Sequence, residues 1–526
     1  MDHQLNLNRR GFLRGTAALG ALVAFGGYAL NGTGAALADS ADASASSRIV
    51  IGRAVDSDNL DPVTCIGNQN IFVFNLILEG LVKTSDDGES IEPCLAESWE
   101  VSEDGTTYTF TVKPGLLFSD GTPVTAADWE FTFNRAIEAE DSNWHMCVEN
   151  IDHVECPDDT TVIVVTKEAA ASTMANLCIF TLGVQSKTHF DEVGEEAYMT
   201  DIIGVGPYMI KEWRKGEYLT LAANPNYREA GLPLTQEIEF KVVAEDTSRQ
   251  LQLQAGDIDI ATDLPFSTLM QLSSDSNVVV SPDPSTNVTF LSCNVANEYL
   301  ANETVREALY EATDAQEFVD ALSYGYATAV GSVFAPTSEF CDHSIEPTVA
   351  NVEAAKALLA EAGYPDGFSL RVLLRGGNAT QEQIAMILMQ QWAQIGVTLE
   401  LDAREATSFS QARADRDFDI LVSGWSDDVQ DPAEFMHFLF SFDVNYGCFT
   451  NFEQPEELVA INDAANVELD NEIRKELYAQ IQQAFRKQAV NIPLFVTPWC
   501  NAYRTDITGW IQTPLGNFRL EHLAKA

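Results

Sequence analysis

Two short segments of the sequence combine charged side chains with a backbone suited to binding ions. Residues 374–378 (LRGGN) place Arg375 between an apolar segment and a predicted helix, and residues 424–432 (GWSDDVQDP) place three aspartates after a second apolar segment. An arginine beside the free N–H groups of a helix start can bind a carboxylate, whereas an aspartate can bind an ammonium group. If the two segments are neighbours, they suit a ligand that carries both charges.

The three aspartates of the second segment have different expected roles. Asp431 precedes Pro432, the usual order of an N-cap and a first helical residue, so Asp431 is expected to begin a helix. Asp427 and Asp428 are then left for a ligand. The charged ends of an extended dipeptide lie about 6–7 Å apart, at roughly 3.5 Å per residue. Because an unmatched buried charge is costly, such a pocket would reject ligands that lack either end.

Ordinary structural roles are the alternatives for two of these residues. An arginine that follows a strand commonly bridges to a surface carboxylate, which would leave Arg375 without a ligand. Trp425 suits the core as well as it suits a pocket. The residue types alone leave both alternatives open.

Alternating strand and helix patterns surround the two segments and predict how they are positioned. Alternation of this kind predicts an α/β fold with a parallel sheet covered on both faces, and ligands bind beyond the carboxyl ends of such strands. Gly396 follows the first helix in the position where helices commonly end. The predicted elements are strands at 368–374, 397–401 and 418–423 and helices at 380–395, 407–414 and 471–488.

A motif in the N-terminal half is more specific than these patterns. Residues 92–129 contain P-x-L-A-x-x-W from Pro93 to Trp99, the alternating strand YTFTV at 108–112, and FSDG at 118–121 before a helix with a capping-box start at Thr125. This stretch resembles the N-lobe signature of the family 5 (peptide/nickel-type) extracytoplasmic solute-binding proteins of ABC importers. Further family landmarks follow in order at 204–208, 212–213, 224–227 and 255–259.

The resemblance implies an α/β, two-lobed periplasmic-binding-protein fold of type II, similar to cluster C. Lobe I is expected at 48–285 with an inserted subdomain at about 83–200, lobe II at 286–489, and a return to lobe I at 490–526. The implied function is capture of short peptides by hinge closure and delivery to an ABC permease and ATPase. The protein is expected to be a monomer and no enzyme, with no cofactor.

The resemblance also assigns roles to residues of the two charged segments. In dipeptide-binding members, G-W-x-x-D-x-x-D-P supplies the aspartate that binds the ligand's α-ammonium, which here is Asp428. Those members bind the carboxylate with an arginine 17 positions before a helix tryptophan, a spacing that Arg375 and Trp392 reproduce. Trp425 would pack over the ligand backbone, and Gly376 replaces bulkier residues, which implies a roomier pocket. The remaining expected contacts are Gly424 and Ser426, together with the backbone of Ile66, Gly67 and Asn68 in lobe I.

The N-terminus reads as an export signal. Residues 8–14 (NRRGFLR) precede an apolar segment at 15–30 and the A-x-A site at 36–38, which is typical of a Tat-type signal peptide over residues 1–38. A Sec signal or an uncleaved anchor is the alternative. Residues 39–47 are a predicted linker, and the mature protein is expected to be exported and soluble, in the periplasm, cell envelope or medium.

The composition excludes some partners and leaves the cysteine pairing open. The net charge is −49, and removing residues 1–38, which carry three Arg and one Asp, leaves −51. A surface of this charge repels nucleic acid. The nine cysteines form no C-x-x-C pair, and their odd number leaves at least one unpaired in a monomer.

Rival functions find weaker support in the sequence. His145, Cys147, His153 and Cys156 concentrate soft and imidazole donors, but their spacing matches no standard zinc motif, so no metal site is expected. The sequence also lacks G-x-S-x-G, H-E-x-x-H and P-loop motifs. Nickel-chelate, haem and oligosaccharide binding occur in the same family and remain the alternatives.

Overall fold

Two large β-sheets organise the chain in this computed structural model, which describes residues 48–140, 142–440 and 450–526. The expected signal peptide and linker, residues 1–47, lie outside the described residues. We call the seven-stranded sheet with its attached elements lobe I, and the six-stranded sheet with its helices lobe II. In the part of the chain described, no helix is long and apolar enough to cross a bilayer.

Lobe I contains strands from both ends of the described chain. Its central strand, Ile49–Arg53, pairs in parallel with Glu237–Val242 and Ile260–Ala261, while Trp499–Arg504 joins from the C-terminal end. The order across the sheet is Val278–Asp283, Trp499–Arg504, Ile260–Ala261, Ile49–Arg53, Glu237–Val242, Tyr218–Ala223 and Tyr208–Arg214. The longer helices are Asn68–Ile77, Ala126–Glu138, Asp246–Ala255, Lys187–Val193 and Phe266–Leu272.

A four-stranded antiparallel sheet follows the first part of lobe I. Its order is Ala96–Val101, Thr107–Val112, Thr161–Thr166 and Ile151–Asp158, and Ala126–Glu138 packs against it. The predicted capping box is present, since Thr125 and Asp128 exchange hydrogen bonds at the start of this helix. This sheet lies within the subdomain expected at about 83–200.

Lobe II has the predicted parallel strands, although its sheet as a whole is mixed. Ile420–Trp425, Ser369–Arg375 and Thr398–Arg404 are parallel neighbours, whereas Val288–Cys293 is antiparallel to both strands beside it. The order is Thr328–Ala329, Asn491–Val496, Val288–Cys293, Ile420–Trp425, Ser369–Arg375 and Thr398–Arg404. The helices are Glu303–Glu311, Ala315–Leu322, Val352–Glu361, Ala379–Ala393, Ala406–Ala414, Pro432–Phe440, Glu456–Val467 and Asn471–Gln488.

The chain passes between the two sheets at two places. Val278–Asp283 and Val288–Cys293 belong to different sheets, so the first passage is at 284–287. The second passage differs from the expected boundary at 490, because Asn491–Val496 still pairs with Val288–Cys293 in lobe II. The return to lobe I comes at 497–498. An apolar strand fits either sheet, and only the pairing partner decides which sheet it joins.

Helix Ala379–Ala393 shows how apolar spacing holds the charged segments in place. Its buried residues include Ile384, Leu388 and Trp392, each four positions apart, so one face packs on the sheet. Asn378 is the N-cap and accepts from the Gln381 N–H. Trp392 is fully buried and donates to Thr313 Oγ1, so the tryptophan that matched the family spacing is a core residue.

Candidate functional site

The acidic loop, residues 426–431, leaves strand Ile420–Trp425 at the edge facing lobe I. The Trp425 ring stacks on Phe435 with centroids 5.0 Å apart, and its Nε1 donates to Asp427 Oδ1 at 3.0 Å. The Asp427 N–H donates to Thr286 Oγ1. Asp427 is therefore already engaged, contrary to the expectation that it is free for a ligand. Trp425 is partly buried, and a cavity of about 50 Å³ beside it is also lined by Pro514 of lobe I.

Asp431 caps a helix, as its position predicts, and it also forms a buried ion pair. Its Oδ1 accepts from the Ala433 N–H at 3.0 Å, which makes it the cap of helix Pro432–Phe440. Both carboxylate oxygens also accept from Arg474 Nη2 at 2.9 Å, and both side chains are buried. This ion pair fixes the acidic loop to helix Asn471–Gln488. Sequence analysis missed Arg474, because a polar residue on a long helix gives no sign of a distant partner.

Asp428 lies against a second carboxyl group, that of Glu434. Glu434 is only 2% exposed, and its Oε2 accepts from the Asp428 and Val429 N–H groups at 3.0 and 3.1 Å. Burial raises the pKa of both carboxyls, the charge of Asp428 raises the pKa of Glu434 further, and a hydrogen bond with Glu434 lowers that of Asp428. Burial and the neighbouring carboxyl thus hold the pKa of Glu434 well above its usual range.

Glu434 was missed by sequence analysis although a signal for it existed. It stands three residues after Asp431, which is the spacing of a capping box. In this structure its side chain reaches past the N-cap to the preceding loop residues. The Glu434 carboxyl thereby fixes the backbone of the loop that carries Asp428.

Asp428 and Glu434 lie near two buried thiols that belong to lobe I, those of Cys65 and Cys147. Burial raises the pKa of Cys65, and the charges of Asp61 and Asp428 raise it further. Burial likewise raises the pKa of Cys147, with added contributions from Glu434 and Asp428. The acidic pair therefore lies where the two lobes meet. Among the residues described, no cation forms an ion pair with Asp428.

The expected lobe I contacts lie beside these thiols. Ile66 is 48% exposed, and Gly67, at a φ of +94°, precedes helix Asn68–Ile77. The carbonyls of Ile66 and Gly67 accept from Asn70. Asn68 lines a separate cavity of about 150 Å³ in lobe I. The structure leaves the role of these three residues as a prediction.

Arg375 ends the strand next to that of the acidic loop. Val372 and Leu373 pair with Ile420 and Leu421, which brings the carboxyl ends of the two strands to one edge. Gln381 joins both ends, since its Oε1 accepts from the Arg375 N–H and its Nε2 donates to the Val422 carbonyl. The tertiary structure thus makes neighbours of the two segments, as the alternation of elements predicted.

The Arg375 side chain is exposed and forms no ion pair with a residue that the structure describes. The neighbouring Arg371 and Arg404 do pair with surface carboxylates, both reaching Asp402 and Asp417. The Gly376 N–H donates to the Arg404 carbonyl at 2.7 Å. Arg375 is therefore the last residue of its strand, and its guanidinium lies in solvent.

The donor-rich segment at 145–156 divides between two surfaces. His153 lies on strand Ile151–Asp158 and contacts Asp152 and Glu155, while Cys147 is buried at the lobe boundary. Within the described ranges, no group of three or more metal-ligating side chains is assembled. The eight cysteines in those ranges are free thiols, and Cys448 lies outside them.

Comparison with known proteins identifies the family of this chain. Residues 90–447 match the bacterial extracellular solute-binding proteins, family 5 Middle. The probable D,D-dipeptide-binding periplasmic protein DdpA of Escherichia coli is 28% identical over 483 residues, covering 89% of this chain and 92% of that protein. Heme-binding protein A of Haemophilus influenzae is 27% identical over 471 residues, covering 84% of this chain and 85% of that protein.

A solved structure agrees with the two-lobed arrangement. The dipeptide binding protein from Pseudoalteromonas sp. SM9913, in complex with Met-Leu, superposes with a TM-score of 0.82 at 22% identity and covers 91% of this chain and 100% of that one. This likeness confirms the predicted type II fold of periplasmic binding proteins. The chain belongs to the family 5 bacterial extracellular solute-binding proteins, which are substrate-binding subunits of ABC importers and not enzymes.

Proposed function

We propose that this protein captures short peptides, with Asp428 binding the α-ammonium group and Arg375 the carboxylate. The observation that carries the proposal is Asp428 itself, a partly buried carboxylate at the lobe boundary with no cation among the described residues. A ligand ammonium group supplies the missing charge. Glu434 supports this role, because its Oε2 accepts from the Asp428 and Val429 N–H groups and so fixes the loop without placing a cation beside Asp428.

Arg375 has the complementary chemistry at the neighbouring strand end. Its guanidinium is exposed in the absence of ligand and can receive a carboxylate without first breaking an ion pair to a described residue. The glycines that follow it leave space for ligand backbone. The relative named for D,D-dipeptide binding in Escherichia coli agrees with a peptide ligand for this chain.

Closure about the two interlobe passages, 284–287 and 497–498, would bury the bound peptide. Each passage is a few residues long, as in hinges that absorb a rotation between packed lobes. The ligand contacts both lobes only in the closed form, so binding shifts the population toward closure. The closed complex is then the form offered to the permease and ATPase subunits.

The direct test is calorimetric titration of ligand-stripped mature protein with dipeptides and tripeptides, unmodified, N-acetylated or C-amidated. We expect each modification to weaken dipeptide binding about tenfold or more, because it removes one charge-assisted contact. If acetylation weakens binding and amidation does not, the ligand is a longer peptide whose carboxylate lies away from Arg375. Failure of every peptide to bind contradicts the proposal and favours nickel chelates, haem or oligosaccharides.

Arg375→Gln gives the matched test of the carboxylate contact. The variant is expected to weaken binding of a free dipeptide about tenfold, yet to bind the C-amidated dipeptide as the wild type does. Arg416→Gln, which alters an arginine at the opposite, amino-terminal end of strand Ile420–Trp425, is the control. Equal losses for free and amidated peptide would show that Arg375 acts on the fold and not on the ligand.

Peptide binding should release protons near neutral pH. Burial holds the pKa of Asp428 above its usual range, so part of the ligand-free protein is protonated there, and a ligand ammonium group favours the ionised form. Affinity should therefore rise from about pH 5 to pH 7 and fall once the peptide amine deprotonates near pH 8. Titrations in buffers of different ionisation enthalpy measure the protons released. Proton uptake on binding between about pH 5 and pH 7 would contradict the assignment of Asp428 as the ammonium-binding residue.

A further inference from the structure

A cleft of about 690 Å³ lies between the two lobes on the side of the four-stranded sheet. Lobe I lines it with residues from 145–150 and 167–176, and lobe II lines it with residues of helices Pro432–Phe440 and Glu456–Val467. The passages between the lobes contribute no residue to the described lining. One edge of the cleft lies at Glu434, next to the acidic loop, and another lies at the end of helix Glu456–Val467.

The two lobes touch again at this second edge. The Ala171 N–H of lobe I donates to the Asn466 carbonyl of lobe II at 3.2 Å. Leu469 Cδ1 of lobe II lies 3.6 Å from the point where a Cβ atom of residue 105 would lie, which is ordinary van der Waals contact with Gly105 of lobe I. We call these two interactions the rim contact. Both lobe I partners lie in loops that adjoin the four-stranded sheet, so the rim contact joins that sheet to lobe II.

The burial of Gly105 shows that the rim contact covers the tip of a turn. This residue joins the first two strands of the four-stranded sheet, and its φ of +73° lies in the left-handed region that favours glycine. Glu103 and Asp104 of the same turn are exposed, whereas Gly105 is buried. Ala169 and Leu469 are the residues that cover it. The turn therefore packs against the other lobe.

The charged residues of the cleft oppose closure, and the rim contact does not. Glu149 and Glu168 line the cleft from lobe I and Asp463 lines it from lobe II, so closure brings like charges together. The Lys167 Nζ, which also lines the cleft, donates to the Glu149 carbonyl within lobe I. The rim contact consists of main-chain and apolar groups, which can meet without this repulsion. It is therefore suited to hold the lobes together.

We propose that the rim contact is a latch that forms when the lobes close on a peptide and slows the release of that peptide. The inference rests on the proposed peptide function and concerns how that site is regulated. Rotation about the passages at 284–287 and 497–498 moves the four-stranded sheet away from lobe II and breaks the contact. An interaction made only in the closed form raises the population of that form. Affinity differences within one kind of complex arise mostly in the dissociation rate, so the latch acts there.

Gly105→Asn tests the latch by adding a side chain at the covered turn. Asparagine adopts the left-handed region more readily than other side chains. Its Cβ would lie 3.1 Å from Ala169 Cβ and 3.6 Å from Leu469 Cδ1, so the rest of the side chain crowds the contact. Gly115→Asn is the matched control, because Gly115 has a φ of +74° and, apart from its chain neighbours, no described residue comes within 4 Å of its Cβ position.

Stopped-flow measurement of dipeptide release compares the two variants with the wild type. We expect Gly105→Asn to release the dipeptide about threefold or more faster, while its association rate changes less than about twofold. Gly115→Asn should release the dipeptide as the wild type does. Equal release rates for the two glycine variants overturn the inference.

Leu469→Ser repeats the test from the other lobe if Gly105→Asn fails to fold, as judged by thermal unfolding. Its control is Leu251→Ser, because Leu469 and Leu251 are 58% and 59% exposed and Leu251 lies on helix Asp246–Ala255 of lobe I. Faster release is expected from Leu469→Ser alone. Release at the same rate from both leucine variants overturns the inference.

A second measurement separates the latch from the proposed function. If no dipeptide binds the wild type, the proposed function fails, and small-angle X-ray scattering of the two glycine variants without peptide then decides on the latch. A larger radius of gyration for Gly105→Asn than for Gly115→Asn supports a contact that holds the lobes together. Equal radii overturn it.

Discussion

Asp428→Asn is expected to weaken dipeptide binding at least about 100-fold, which corresponds to about 2.7 kcal/mol. Truncating one partner of a desolvated charge pair commonly costs about 2–5 kcal/mol, because the remaining charge stays buried and unpaired. The amide keeps the volume of the carboxylate, and the Glu434 side chain still holds the backbone N–H groups of 428 and 429. Calorimetric titration of both proteins with one dipeptide measures the loss.

Two comparisons make this result specific to the ligand's amine. The N-acetylated dipeptide should bind wild type and Asp428→Asn with similar weak affinity, since neither complex contains the ion pair. Asp427→Asn alters the adjacent carboxyl, which is engaged with Trp425, and is expected to weaken binding far less. If Asp428→Asn binds the free dipeptide as tightly as the wild type, the ammonium assignment is wrong.

Arg474→Met is expected to lower the free energy of unfolding by about 3–5 kcal/mol, because it leaves the Asp431 carboxylate buried without its partner. Asp431 is 7% exposed and Arg474 is 2% exposed, so solvent cannot replace the lost contact. The change also loosens the acidic loop that carries Asp428. Urea unfolding followed by circular dichroism measures the stability, and calorimetry measures the accompanying loss of affinity.

A partly exposed arginine, Arg371, provides the matched control for this substitution. Arg371→Met removes the ion pairs with Asp402 and Asp417 at the surface of the same lobe and should cost about 1 kcal/mol or less. Adding Asp431→Asn to Arg474→Met should recover part of the lost stability, because the unpaired buried charge is then removed. Equal destabilisation by the two arginine substitutions would show that burial does not govern the 431–474 pair.

The two predictions differ in the quantity that changes. Asp428 is partly buried without a cation, so removing its charge is expected to cost binding and little stability. Arg474 satisfies a buried carboxylate, so its loss is expected to cost stability first and binding second. Measuring both quantities for both variants therefore distinguishes the residue that contacts the ligand from the residue that positions it.

Much of the local structure was predictable because it depends on spacing within short segments. The alternation of predicted strands and helices predicted the parallel strands of lobe II, and the segment 471–488 is a helix with those bounds. The capping residues at Thr125 and Asp431 follow from the order of residues around them. The family was recognisable from motifs distributed along the chain, and the match over residues 90–447 confirms it.

Tertiary structure decided which distant residues complete the site. Strand 491–496 joined lobe II and not lobe I, Arg474 became the partner of Asp431, and Glu434 turned back to the loop that precedes its helix. One cleft between the lobes is lined by both His145 and Asn462, which are more than 300 residues apart in the sequence. The sequence by itself determined the elements, the two charged segments and the family, since these are encoded locally. Only the tertiary packing determined which carboxyls are buried and which are paired, because desolvation and pairing depend on atoms that are far apart along the chain.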